Sequence, residues 1–464
     1  MDTGFETIGN ATLICHDAGP VLVTDPWVVG SAYFGSWTLS HDIPGQQMEA
    51  ILGCRYVWLS HGHPDHLSSE SLAPLKDKHI LLPNHFGGRI REDLTRHGFQ
   101  VEVLVDREWK TLSPRMRVMC IPDVNQDAVL LIELDGRLLV NLNDAADHGW
   151  GRFVRSIIHE YDCAFLFALS GYGDADMINF FDEDGTRITP TAAKRYPVGR
   201  SISHQAEHFG VRYFVPFSSM HKYQRADSIW ASEYTTTLAD YPRGFDSKAC
   251  ELLPAFIRYD LARDRLEQIE PPERAIQPID PAEFGDDWSE PLERDEVRAV
   301  DAYFRSIRHL ERVLDFIRVR VGGKEHLVAF HSNRHGRGIT FEAPRASLVS
   351  AVRHEVFDDL LIGNFMKTTL HGEWGRGMLY PDFSPYVAKY ADNGRAKEKN
   401  ELRAYFAEYR LRDPIGLLRH KLEMSCVRPL QQQSISVLQG LLPTESRAYR
   451  AARDTYCTLR RALR

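Results

Sequence analysis

The chain has 464 residues, 43% of them hydrophobic and 11% aromatic, enough to bury a large core and too many for one ordinary domain. Its formal charge of −8 gives no general electrostatic reason to bind nucleic acid or an anionic membrane. The seven cysteines are scattered with no CxxC pair, which argues against a disulfide framework or a zinc knuckle and reads as reduced thiols in cytoplasm.

In chain order, "MDTGFETIGN" lacks the basic start and apolar core of a secretion signal, and no apolar run nears the roughly 20 residues that span a bilayer. A soluble, cytoplasmic protein is expected. Strand-like runs follow: "ATLICHD", "PVLVTD", "YVWLS", "HILLP", "MRVMCIP", "AVLLIEL", "RLLVNLN", "CAFLFALS" and "RYFVPF". Helices are expected over Ser68 to Lys76, Gly87 to His97 and Ala192 to Phe209. Strands that neighbour one another early and alternate with helices later predict an α/β sandwich of sheets with helices outside, over residues 1–265. Residues 266–296 are dense in proline and acid and read as a linker or a wrapping segment. From 297 to 464 a smaller α+β unit is expected. It opens with the helical "EVRAVDAYFRSIRHLERVLDFI" and carries a second helix-like run, "RASLVSAVRHEVFDDLLIGNF".

Chemistry concentrates in "YVWLSHGHPDHLSSESL", residues 56–72. In extended chain leaving a strand, residues two apart point the same way, so His61 and His63 can converge on one metal. Asp65 and His66 then sit in the turn entering the next helix, facing a second. One tetrahedral ion does not need all four groups; two ions about 3.5–4 Å apart do.

This H-x-H-x-D-H run resembles the signature of the metallo-β-lactamase superfamily, and the resemblance implies an αββα sandwich. It also implies roles for distant residues. Asp25 in "VLVTDPW" would orient a histidine ligand. Asp144, ending the strand "RLLVNLN", would bridge the two metals, and His221 after "RYFVPFSSM" would be the last histidine ligand. One landmark is changed. The loop before "AVLLIEL" reads "CIPDVNQDAV", with no histidine; Asp123 stands in the matching place, with Asn125 and Asp127 as alternatives and a simple turn cap as the plain reading. A carboxylate there gives the first ion two imidazoles and a carboxylate, a set more typical of non-haem iron than of catalytic zinc.

A narrower resemblance, on "TDPWVVGSAYFGSW", "LSHGHPDHLSSESL", "FALSGYGDADMINFF" and "YFVPF", is to the metallo-β-lactamase-type domain of the CMP-N-acetylneuraminate hydroxylase family and related diiron oxygenases. It implies a dinuclear non-haem iron oxygenase that hydroxylates or otherwise oxidises a polar small molecule, a nucleotide sugar or an amino-acid-derived intermediate, with O2 as cosubstrate. Zinc and manganese are the alternative metals. The vertebrate family members also carry a Rieske centre, which needs paired Cys-x-His and Cys-x-x-His ligands, and none occur here. Electrons would then come from an external ferredoxin or reductase, or from the substrate. The alternative is a hydrolase of a lactone, phosphodiester or amide, in which the metals acidify a water that Asp65 or Asp144 orients.

Two further residues are candidates for the cleft: His148, four positions past Asp144, and Tyr172 in the Gly-rich loop "SGYGDADMINFF". His204 and His208 have the i, i+4 spacing of a helical metal pair, but without the glutamate of the zincin pattern they read as surface or packing residues. The C-terminal unit is faintly similar to sterol-carrier-like domains and is read as a substrate lid or as a dimerisation element of a homodimer.

Overall fold

The computed structural model describes residues 2–125, 127–171, 177–375, 377–388, 396–422 and 425. Residues 1–146 and 155–409 form one compact unit. Its first sheet has eight strands in the order Arg265–Gln268, Ile257–Asp260, Thr3–Ile8, Thr12–Asp17, Pro20–Thr24, Tyr56–Trp58, His79–Leu82 and Gln100–Val103. The second has seven: Glu251–Leu252, Tyr213–Pro216, Ala164–Ala168, Arg137–Asn143, Ala128–Leu134, Met116–Pro122 and Lys110–Ser113. In both sheets consecutive hairpins pair antiparallel, and the strands reached through helical crossovers pair parallel.

Side-chain alternation assigns the faces. Along Ala128–Leu134, residues 128, 130, 132 and 134 enter a core shared with the other sheet, while Val129 and Leu131 stay out of it yet are fully buried. Phe5 of the first sheet meets Phe165 and Phe167 of the second edge-on at 5.0 and 5.4 Å, so the sheets lie face to face. The far faces are covered by helices, Gly45–Gly53 and Arg89–Arg96 on the first sheet and Val198–Phe209 on the second. This is the expected αββα sandwich.

A third, five-stranded sheet runs Phe180–Phe181, Lys367–His371, Gly338–Glu342, Phe316–Val321 and Lys324–Ala329. With the helices Arg294–Ser306 and Arg345–His354 it encloses a second core around Phe304, Phe341, Phe357 and Phe383. The Pro- and acid-rich segment wraps: Asp42 N donates to Pro272 O and Ile279 N to Gln224 O, both at 2.8 Å, and the buried Asp286 pairs with the buried Arg225 at 2.8 Å.

All five expected helices are shorter than their sequence patterns: Ser68 to Lys76 is α-helical only over Ser69–Leu72, and Gly87 to His97 over Arg89–Arg96. Ala192 to Phe209 is divided by Pro197, which is extended, so that only Val198–Phe209 is α-helical. The helix expected to run through "RVLDFI" ends at Ser306, because Ile317, Val319 and Val321 alternate with Arg318 and Arg320 and fit a half-buried strand instead. "RASLVSAVRHEVFDDLLIGNF" stops at His354, with Glu355 in the left-handed region at φ 56°, and resumes over Asp358–Ile362.

The remaining unit joins residues 147–154 to the described part of the tail from 410. Its helix Pro414–Leu422 brings His420 Nδ1 to 3.7 Å from Asp147 Oδ1. Among the described residues no helix is long and apolar enough to cross a membrane.

Candidate metal centre

Four strand ends converge at one rim of the sandwich. Tyr56–Trp58 leads into Ser60, His61, His63, Asp65 and His66; Pro20–Thr24 ends beside Asp25; Arg137–Asn143 precedes Asp144; and Tyr213–Pro216 leads to Ser218 and His221. The backbone is strained there. Asp25, Asn143 and Ser218 hold φ of 38°, 52° and 65°, positions that side chains other than glycine seldom take, and the register of Arg137–Asn143 slips between Asn141 and Asn143.

His61, His66 and Asp144 each offer a ligand atom, and the three atoms lie within 4.8 Å of one another. His66 Nε2 is 3.2 Å from Asp65 Oδ2 and 3.4 Å from Asp144 Oδ2, and His61 Nε2 is 2.8 Å from His63 Nδ1. Donors about 2.1 Å from a tetrahedral ion stand about 3.4 Å apart, so the separations of His66 Nε2 from the two carboxylates fit coordination. Tyr33 donates its hydroxyl to Asp65 Oδ1 at 2.6 Å, Asn10 donates to Oδ2 at 3.0 Å, and Ser218 Oγ donates to Asp144.

Among the described residues neither ring nitrogen of the buried His221 has a hydrogen bond, and Trp37 stacks on it at 3.6 Å and 8°. An ion at one of the two nitrogens would answer one of these unmet groups. Burial pushes the pKa of His221 down to about 4, so the ring is neutral at pH 7 with a lone pair to offer.

The electrostatics favour a cation. Burial would raise the Asp65 carboxyl, but His66, His63 and the Tyr33 hydroxyl hold it well below the carboxylate range. Burial would lower His66; Asp65, Asp144 and Asp25 raise it well above its ordinary value. The same crowd of carboxylates that holds a proton on His66 attracts a metal in its place.

Of the two aspartates in the loop without histidine, Asp123 accepts a hydrogen bond from Asn125 N at 3.3 Å within its own turn. Asp127 is buried with Oδ1 3.5 Å from His61 Nδ1, and burial raises its carboxyl. Asn125 lies exposed in that turn. His148 is exposed and belongs to the second compact unit; Tyr172, with the rest of 172–176, lies outside the described residues. His204 is exposed and His208 contacts Arg155, as packing residues do.

Several site residues carry no motif. Asn143 Nδ2 donates to Asp25 Oδ2 and to Ser60 Oγ, both at 2.7 Å; Ser60 N donates to Asp25 Oδ1 at 2.8 Å, and Ser60 Oγ lies 2.9 Å from His61 Nδ1. His66 Nδ1 is 3.5 Å from Asp25 Oδ2. From the helix Lys399–Arg412, Tyr405 donates to Val124 O at 2.9 Å, and the Tyr409 hydroxyl is 3.1 Å from His85 Nδ1, whose Nε2 is 3.3 Å from Ser60 O. The only hint in sequence is that Ser60 and Asn143 directly precede His61 and Asp144.

No protein-family model matches the chain. Over 140 residues it is 27% identical to the inactive cytidine monophosphate-N-acetylneuraminic acid hydroxylase of Homo sapiens, covering 28% of this chain and 28% of that protein. Over 145 residues it is 27% identical to the hydroxylase of Danio rerio, covering 29% and 24%. The chain thus spans less than a third of the length of the curated relatives it matches. Among solved structures it is similar to CmlA, a diiron β-hydroxylase from Streptomyces venezuelae, at 14% identity and a TM-score of 0.36, over 58% of this chain and 54% of that one. Sandwich topology and histidine motif together are those of the metallo-β-lactamase fold, and the sequence likeness falls on its CMP-N-acetylneuraminate hydroxylase branch.

Proposed function

We propose that the chain is a dinuclear non-haem iron oxygenase that hydroxylates or otherwise oxidises a polar small molecule, a nucleotide sugar or an amino-acid-derived intermediate. His61, His63 and a loop carboxylate would hold one ion, Asp65, His66 and His221 the other, with Asp144 between them. The observation that carries oxidation over hydrolysis is the donor set. The loop between Met116–Pro122 and Ala128–Leu134 supplies no imidazole, only the carboxylates of Asp123 and Asp127. Asp127 Oδ1 lies 3.5 Å from His61 Nδ1, the nitrogen that Ser60 Oγ approaches at 2.9 Å, so Asp127 supports His61 from behind and Asp123 is the preferred ligand.

Bound there, a pair of irons would supply the redox change that O2 reduction needs, whereas a pair of zinc ions would supply only a water acidified toward neutrality. The chain's own part is positional. Tyr33 and Asn10 aim the Asp65 carboxylate, Ser218 aims that of Asp144, and Trp37 fixes the plane of His221. Hydroxylation by O2 consumes two electrons beyond those of the substrate's C–H bond, so an external ferredoxin or reductase is part of the proposal. The likeness to hydroxylases supports it.

The hydrolase remains the second reading because four imidazoles and bridging acid also suit zinc. Elemental analysis of protein purified without added metal decides, together with oxygen uptake in the presence of a reductant. Two irons per chain and reductant-dependent uptake are expected. Stoichiometric zinc, with turnover of an ester or phosphodiester and no oxygen uptake, would replace the oxygenase by the hydrolase.

A further inference from the structure

Each histidine of the motif is engaged at the nitrogen that does not face its neighbours in the cleft. His61 Nδ1 is 2.9 Å from Ser60 Oγ, and His66 Nδ1 is 3.5 Å from Asp25 Oδ2. The corresponding atom of His63 is Nε2, since its Nδ1 faces His61. It lies 3.6 Å from Oδ2 of Asp358. Ser60 and Asp25 come from the sandwich, but Asp358 begins the helix Asp358–Ile362, which packs with the third sheet.

Asp358 is 1% exposed, and neither carboxylate oxygen has a hydrogen bond among the described residues. It caps no helix and accepts no backbone amide. A carboxylate buried in that condition is costly unless a cation or a charged N–H donor answers it, and His63 is the group at hand. Its seat is fixed by the scaffold that shapes the centre. Ile362 packs with Tyr33, Trp37 and Tyr223; Ser36 Oγ donates to Gly363 O at 2.6 Å; and Asn364 Nδ2 donates to Tyr223 OH at 2.8 Å. Tyr33 and Trp37 are the residues that hold Asp65 and His221.

We propose that Asp358 is a positioning residue for the metal centre, accepting the Nε2–H of His63 and so leaving Nδ1 unprotonated and directed at the ion. The inference rests on the dinuclear-metal reading above and adds to it that the layer built after residue 297 supplies part of the ligand support. A carboxylate behind a histidine fixes its tautomer and strengthens it as a donor, and removing such a partner weakens metal binding about 10–100-fold.

The test uses the full chain stripped of metal by chelation and titrated with Co(II), whose visible bands report ligand geometry. Wild type, D358N, D358E, H63A and H63A/D358N are compared. Wild type should take up two ions. D358N should bind one of them about 10–100-fold more weakly with shifted bands. D358E should recover part of the loss, and D358N should cost nothing further in the H63A background. If D358N lacks the circular dichroism of the folded chain, D358E carries the comparison, since it keeps the charge and moves it by one methylene. Unchanged affinity and bands in D358N, or losses that multiply in the double variant, overturn the role of Asp358 alone. A wild-type chain that takes up no Co(II) overturns the centre itself.

Discussion

The side-chain amide of Asn143 donates to the Asp25 carboxylate at 2.7 Å, tying the end of one sheet to the end of the other directly behind His66. The same nitrogen donates to Ser60 Oγ, so one amide aligns the supports of two histidines. Replacing Asn143 by Ala leaves Asp25 and Ser60 short of a donor in a fully buried place, which costs about 1–3 kcal/mol. It should also weaken metal binding about tenfold, because Asp25 is then free to turn. Urea denaturation of the metal-free protein and a metal titration separate the two effects; unchanged values in both would remove Asn143 from the account.

Arg225 is the second buried knot. It pairs with Asp286 at 2.8 Å, forks onto Asp227 at 2.9 and 3.0 Å, donates to Phe34 O at 2.8 Å and lies over the Phe365 ring at 4.0 Å. Asp286 in turn accepts from Ser347 N at 2.9 Å. The wrapping segment, the loop holding Tyr33 and the third sheet's helix therefore meet on one guanidinium. R225A strands a buried carboxylate and should cost about 3–5 kcal/mol by chemical denaturation. A loss under 1 kcal/mol would mean that water replaces the arginine there.

Glu6 sets a pH dependence away from the metal centre. Burial would raise its carboxyl, but His16 at 3.1 Å, Gln47 at 2.6 Å and Arg258 at 3.0 Å outweigh that and lower it from 4.5 to about 2. A depressed folded-state value stabilises the fold above the unfolded value, and that contribution is lost as pH falls through the folded one. Full stabilisation is therefore expected above pH 4.5, with about 3 kcal/mol lost between there and pH 2. The stability difference between wild type and E6Q, followed by urea midpoint across that range, should shrink toward acid. A difference independent of pH would contradict the assignment.

Much of this architecture is legible in sequence because period and burial coincide. Strands such as Ala128–Leu134 and Ala164–Ala168 are buried on both faces and read as continuous apolar runs. Thr3–Ile8 is equally buried but carries Thr3, Glu6 and Thr7, whose polar groups find partners only in the fold, and its composition does not announce a strand. The motif histidines are legible because they crowd into one short segment. Their supports are not, since Asn143, Ser218 and Asp358 are common residue types whose meaning lies in where the strand ends bring them. The sequence of 266–296 fits a linker and a wrapping segment alike for the same reason: a proline-rich acidic run has the composition of solvated chain, and the buried Arg225 that pairs with Asp286 lies far from it in sequence.

The missing loop histidine yields the sharpest prediction. Asp123 and Asp127 flank one turn, and Asp123 N donates to Asp127 O at 2.7 Å, so the loop's shape is kept by backbone whichever side chain is removed. Asp127 Oδ1 accepts from Ala128 N at 2.7 Å and lies 3.5 Å from His61 Nδ1, the nitrogen turned away from the cleft, while Asp123 Oδ2 accepts from Asn125 N at 3.3 Å. D123A should therefore lose one of two metal ions, or bind it at least tenfold more weakly, and D127A should retain both with a stability loss of about 1 kcal/mol from the lost hydrogen bond to Ala128 N. Metal stoichiometry by elemental analysis, read beside a urea curve for each variant, gives the answer. The reverse pattern would transfer the ligand role to Asp127, and two ions retained by both variants would leave the first metal with histidines alone from this part of the chain, the donor set of a zinc hydrolase rather than of an iron oxygenase.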